Sequence, residues 1–234
     1  MDDTRGPPLG RRALLTGTAA GAVGLAAPPL PAATPRLTVF RIEREGDPIG
    51  THTIRFPPPG VDGTRRVLTE IDITVTVLGF TAYEYRQRAE EVWRGGLLRA
   101  LRTRTTRSRD PDRAVQAARR DGALHVERRK DGAVTDRYTV VGEVLTTSLW
   151  HPATPGQTRL LGLEDGKLRE IEGRATGTET IAVPGGETRA EHHELRGDFA
   201  RELWYTPGGR ILRAAFNAER DGSRIVLTPQ RLAG

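Results

Sequence analysis

Between Val67 and Val77 the chain alternates apolar and polar residues more cleanly than anywhere else, and this constrains the fold more than any other stretch. Val67, Thr69, Ile71, Ile73, Val75 and Val77 share one side of an extended strand, while Leu68, Glu70, Asp72, Thr74 and Thr76 share the other. A helix turning every 3.6 residues would scatter the same valines and isoleucines around its circumference. The segment therefore reads as a long half-buried β-strand. Hydrophobic residues make up only 36% of the 234-residue chain, which suits an antiparallel sheet with one solvated face better than a parallel sheet covered on both.

The rest of the chain carries the same period. Residues 37–44 and 49–56 read as a hairpin about Glu45-Gly46-Asp47-Pro48, and Pro57-Pro58-Pro59-Gly60 stops the second strand. Long strands follow at 66–78, 80–93 and 97–107, and shorter ones at 123–129, 134–140, 159–163, 168–174, 178–183, 188–196, 201–206, 210–219 and 224–228. Asp-Gly recurs at 62–63, 121–122, 131–132, 165–166 and 221–222, four of these between stretches able to pair, as tight hairpin turns require. Only Asp110 to Arg120, with Ala114, Ala117 and Ala118, has helical spacing, so a loop or one marginal helix is expected there. The irregular run from Thr146 to Thr158 either crosses between halves of the sheet or closes one end of it. The predicted architecture is all-β, a single antiparallel meander of about a dozen strands curved into an open or closed barrel-like sheet.

Residues 1–33 have the parts of an export signal: Arg5, Arg11 and Arg12, then a glycine-diluted apolar stretch from Ala13 to Ala27, then Pro31-Ala32-Ala33. Arg11-Arg12 followed by Ala13-Leu14-Leu15 resembles a twin-arginine signal, which implies folding in the cytoplasm before export to the periplasm or beyond. The apolar run is shorter than the roughly 20 residues of a membrane span, so membrane contact is expected to be peripheral at most. One domain follows, over residues 37–230.

The chemistry available is narrow. With no cysteine there is neither a disulfide nor a thiolate. The net charge of +6 comes almost wholly from arginine, since Lys130 and Lys167 are the two lysines. Interleaved with acids on wet strand faces, these arginines do not call for nucleic acid, although the run from Arg99 to Arg120 leaves room for an anionic lipid head group. Among five histidines, His192 and His193 are adjacent and point to opposite faces of a strand, so no metal or other cofactor is expected. Gly-x-Ser-x-Gly, Ser-x-x-Lys, His-Glu-x-x-His and phosphate-loop patterns are missing, and Glu90 with Glu91 reads as a solvated strand face. The three tryptophans sit at strand ends, so Trp93, Trp150, His151, Trp204 and Tyr205 are the candidate ligand-binding residues.

The motifs Trp93-x-x-Gly96-Leu97, Ser148-Leu149-Trp150 and Leu203-Trp204-Tyr205, with Ile49-Gly50, resemble a family of exported proteobacterial proteins known only as a domain of unknown function. That family implies export and an antiparallel β fold over residues 37–230, and no activity. An Asn is expected there after the second tryptophan, where this chain has His151.

Three functions fit the sequence. The first is a periplasmic module that binds or carries a lipid or other amphipathic small molecule. The second is a structural or protein-interaction component of the cell envelope. The third is a hydrolase, which requires His151 or His193 within reach of a Ser, Asp or Glu.

Overall fold

The computed structural model of the protein describes residues 36–232, so the export signal expected over residues 1–33 lies outside the described residues. The chain is all-β. Fifteen strands make one sheet. The first eight run as a meander: β1 (Arg36–Arg44), β2 (Asp47–Phe56), β3 (Arg65–Val77), β4 (Phe80–Arg94), β5 (Leu97–Arg107), β6 (Asp110–Arg120), β7 (Ala123–Lys130) and β8 (Ala133–Val141). After two short strands, β9 (Leu145–Thr146) and β10 (Arg159–Leu161), a second meander follows: β11 (Leu168–Val183), β12 (Gly186–Gly197), β13 (Arg201–Tyr205), β14 (Ile211–Asn217) and β15 (Arg224–Arg231). Pairing of β1 with β15 joins the meanders, giving the order β8 to β1, then β15 to β9. Every pairing is antiparallel except β9 with β10.

Hairpin chemistry set the registers. Asp121-Gly122 and Asp131-Gly132 each hold both residues at positive φ, between 48° and 81°, which matches the right-handed twist of the flanking strands. Along β3 the alternation holds: Val67 and Thr69 are buried, Ile71, Ile73 and Val75 half-buried, and Thr74 and Thr76 exposed.

Two expectations are corrected. Asp110 to Arg120 is neither loop nor helix; it is strand β6, hydrogen-bonded to β5 on one side and β7 on the other. Val115 and Ala117 face the core and Gln116 faces solvent, a period of two that the alanines on both faces disguised. Residues 168–183 form one strand rather than two, with the glycine-containing interval absorbed as a bulge between Ala175 and Gly177.

The sheet has two free ends, at β8 and β9, so hydrogen bonding does not close it. The segment between β8 and β11 does the closing by packing. Leu145, Leu149, Leu160, Leu161 and Leu163 are buried in one cluster with the inward residues of both meanders, including Phe40, Leu101 and Leu203. At one end a 3₁₀ turn, Thr154–Gly156, sits on β11, where a Cβ on Gly173 would lie 1.9 Å from the Pro155 carbonyl oxygen. At the other end the turn after β10 is held by arginines. Glu164 pairs with Arg107 at 2.7 Å and Arg113 at 3.1 Å, Arg128 donates to the Asp165 carbonyl at 2.6 Å, and Tyr138 donates to the Gly166 carbonyl. The 146–158 stretch thus takes both roles open to it, crossing from the first meander to the second and closing one end, and the lumen is occupied by the chain itself.

Candidate functional site

Glu91 and Trp93 stand two apart on β4 and so share its inward face, which at this end of the strand is closed by the segment after β9. Glu91 is fully buried. Its Oε2 accepts from Trp93 Nε1 at 2.9 Å and from Trp150 Nε1 at 3.3 Å, and its Oε1 makes no hydrogen bond. The hydroxyls of Thr146 and Ser148, bonded to each other at 2.7 Å, lie beside it. Removal from water raises the carboxyl pKa above its ordinary value and outweighs the opposite pull of the neighbouring hydroxyls and the indole N–H groups.

The indoles of Trp93 and Trp150 meet edge to face, 5.6 Å apart at 85°, and Phe56 lies 5.8 Å beyond Trp150. His151 packs 5.1 Å from Trp150 and 6.0 Å from Trp93. Its Nδ1 accepts the Ala153 N–H at 3.1 Å, and burial lowers its pKa, which favours the neutral ring. Tyr205, on the inward face of β13, donates to the Leu149 carbonyl at 2.7 Å and ties this segment to the second meander.

Three of the five candidates, Trp93, Trp150 and His151, are thus brought together, and Tyr205 supports them. Trp204 is not with them, because adjacent strand residues face opposite ways. It lies on the outer face, stacked on His192 at 4.3 Å, with Nε1 donating to Glu179 at 3.1 Å and the Arg213 guanidinium 5.0 Å away. His192 stands between two carboxylates, Glu179 at 3.0 Å and Glu202 at 3.5 Å, while His193 turns inward to Tyr205. Among the described residues no three His, Asp or Glu side chains converge as a metal site.

Glu91 is the residue that sequence reasoning misplaced. Grouped with Glu90 it resembled a wet strand face, yet Glu90 points outward to Arg66 at 3.7 Å while Glu91 points in. Parity with Ala89 and Trp93 was the available signal. The arginines are interleaved with acids: Arg88 with Glu70 and Asp72, Arg104 with Asp112, and Arg129 and Arg137 with Glu127.

Chemically the cluster is a buried acid clamped by two indoles, with the Thr146 and Ser148 hydroxyls beside it and neither histidine paired with a hydroxyl. His151 spends Nδ1 on a backbone amide, and His193 approaches Glu191 only to 3.9 Å. A polar recess of about 180 Å3, lined by Glu84, Arg86, Thr106, Arg107 and Ser108, lies at the other end of β4.

The profile of a domain of unknown function, DUF6134, matches residues 40–230. Among solved structures, the chain is similar to a β-barrel-like protein of the domain of unknown function DUF1849 from Brucella abortus, with a TM-score of 0.54 at 9% identity over 85% of this chain and 96% of the other. At that identity the likeness is one of fold. No curated protein matches the chain.

Proposed function

We propose that this chain, which belongs to the family of the domain of unknown function DUF6134, is an exported, non-enzymatic component of the cell envelope that binds other proteins through the free end of its sheet. The observation that supports this is β8. It ends the sheet, runs for nine residues without a proline, and is exposed at every residue from Ala133 to Arg137. Its outward backbone groups lack a partner strand, and such an edge accepts an extended segment from another chain. Val134 and Val141 add exposed apolar side chains to it. The lumen, by contrast, is filled by leucines of the closing segment, so a carried apolar guest would have to displace them. Export through the twin-arginine route rests on Arg11-Arg12 and the residues after them.

The test is photo-crosslinking in cells, with a reactive residue placed at Thr135 or Thr139 on β8 and, as control, at Arg102 in the middle of the outer face. The reading expects protein adducts from β8 alone, and a processed N-terminus in the envelope fraction. Equal adducts at all three positions, or none, would reject it. A lipid found by native mass spectrometry on the purified protein, with no protein adducts from β8, would favour the carrier instead.

A further inference from the structure

At the end of the barrel opposite the two packed indoles, the Arg201 guanidinium makes no ion pair among the described residues. Arg201 opens β13 on its inward face, two residues before the fully buried Leu203. Its guanidinium carbon lies 3.8 Å from the centre of the Phe216 ring and 4.1 Å from that of Phe199. One N–H donates to the Ala200 carbonyl at 2.7 Å. A guanidinium has five N–H groups, and among the described residues the others find no acceptor.

The surrounding charges do not supply one. Glu219 attracts Arg201 from beyond ion-pair distance, Arg169 repels it, and the Tyr85 hydroxyl faces the same space. Arg169 is itself committed to Asp165 at 2.9 Å, and Arg107 and Arg113 to Glu164. Burial, the main cause, lowers the Arg201 pKa to about 10, still well above neutrality, so the half-buried group stays a cation. Two aromatic rings fix its plane while leaving part of its N–H edge open to an incoming anion.

We infer that Arg201, clamped by Phe199 and Phe216, anchors a binding site for an oxyanion carried on an apolar body, a carboxylate or a phosphate ester. The open edge would give two parallel N–H bonds to one such group, and the phenyl rings would cover the adjoining hydrocarbon. This site is independent of the β8 edge.

The test is thermal unfolding of the full chain at constant ionic strength with octanoate, octyl phosphate, inorganic phosphate and octanol. One octyl anion should raise Tm by a few degrees near saturation, inorganic phosphate less, and octanol not at all. Whichever octyl anion acts at lower concentration identifies the head group. Arg201→Gln should abolish the rise. Arg201→Lys, which keeps the charge and loses the planar edge, should weaken binding by about tenfold. Should Arg201→Gln not fold, Phe216→Leu opens the clamp and should weaken binding severalfold. No rise with any anion, or equal rises in the wild type and these variants, would overturn the inference and leave Arg201 as a packing residue.

Discussion

Two buried titratable side chains give the protein opposing pH dependences. His52 is 5% exposed beside Phe40, and burial lowers its pKa to about 4 from a usual 6.5. The folded state binds fewer protons than the unfolded one between those values, so its contribution is complete above pH 6.5 and is lost as pH falls toward 4. That loss amounts to about 3 kcal/mol. In His52→Leu the acid side of a Tm-against-pH profile should flatten, and a profile parallel to the wild type would refute the assignment. Glu91 acts the other way. Its raised pKa makes the folded state bind more protons above pH 4.5, so stability falls as pH rises past that point until the folded group ionises. Glu91→Gln keeps an acceptor for the indoles and should match the wild type near pH 4 while exceeding it at pH 8, by about 1.4 kcal/mol per tenfold difference in proton affinity. Urea unfolding at the two pH values measures this. Equal stability differences at both would mean that Glu91 does not titrate as assigned.

Among elements, the segment between β8 and β11 decides how well the barrel is shut. Tyr205→Phe removes the donor to the Leu149 carbonyl and should lower unfolding free energy by about 1–2 kcal/mol, since the carbonyl is left buried without its partner. Gly173→Ala places a methyl group where Pro155 already lies, forcing the 3₁₀ turn off β11, and should destabilise by about 2–4 kcal/mol. Both are read from urea midpoints, and a neutral Gly173→Ala would show that the turn is loosely seated. Strand positions were largely legible in the sequence because the turns announce themselves and the period of two survives on half-buried strands. β6 was not legible. Its alanines are small enough to sit on either face, and its identity came from the partners on both sides.

At the scale of the whole molecule, β1 and β15 pair across nearly the full described length, with Arg44 opposite Ile225. The two meanders are joined in the sheet through this ladder. A chain ending before Arg224 should lose one of the two partners of β1, expose Phe40 and Ile42, and fail to fold cooperatively, as circular dichroism melts would show. Retention of a sharp transition would mean that the first meander is stable alone. Contacts this distant in sequence also place folding in the slow, millisecond-to-second range.

By itself the sequence determined the secondary structure class, most hairpin turns and the inward parity of β3, because each is written in neighbouring residues through side-chain alternation and turn chemistry. It also placed Trp150 and His151 in the irregular closing stretch. Tertiary structure alone decided that β15 lies beside β1, that the closing segment fills the lumen, that Trp204 turns away from Trp93 and Trp150, that Glu91 ends up buried, and that Arg201 lies between two phenyl rings. Those outcomes depend on which distant surfaces meet, and no local pattern of residues specifies which strand edge or side chain its partner will be.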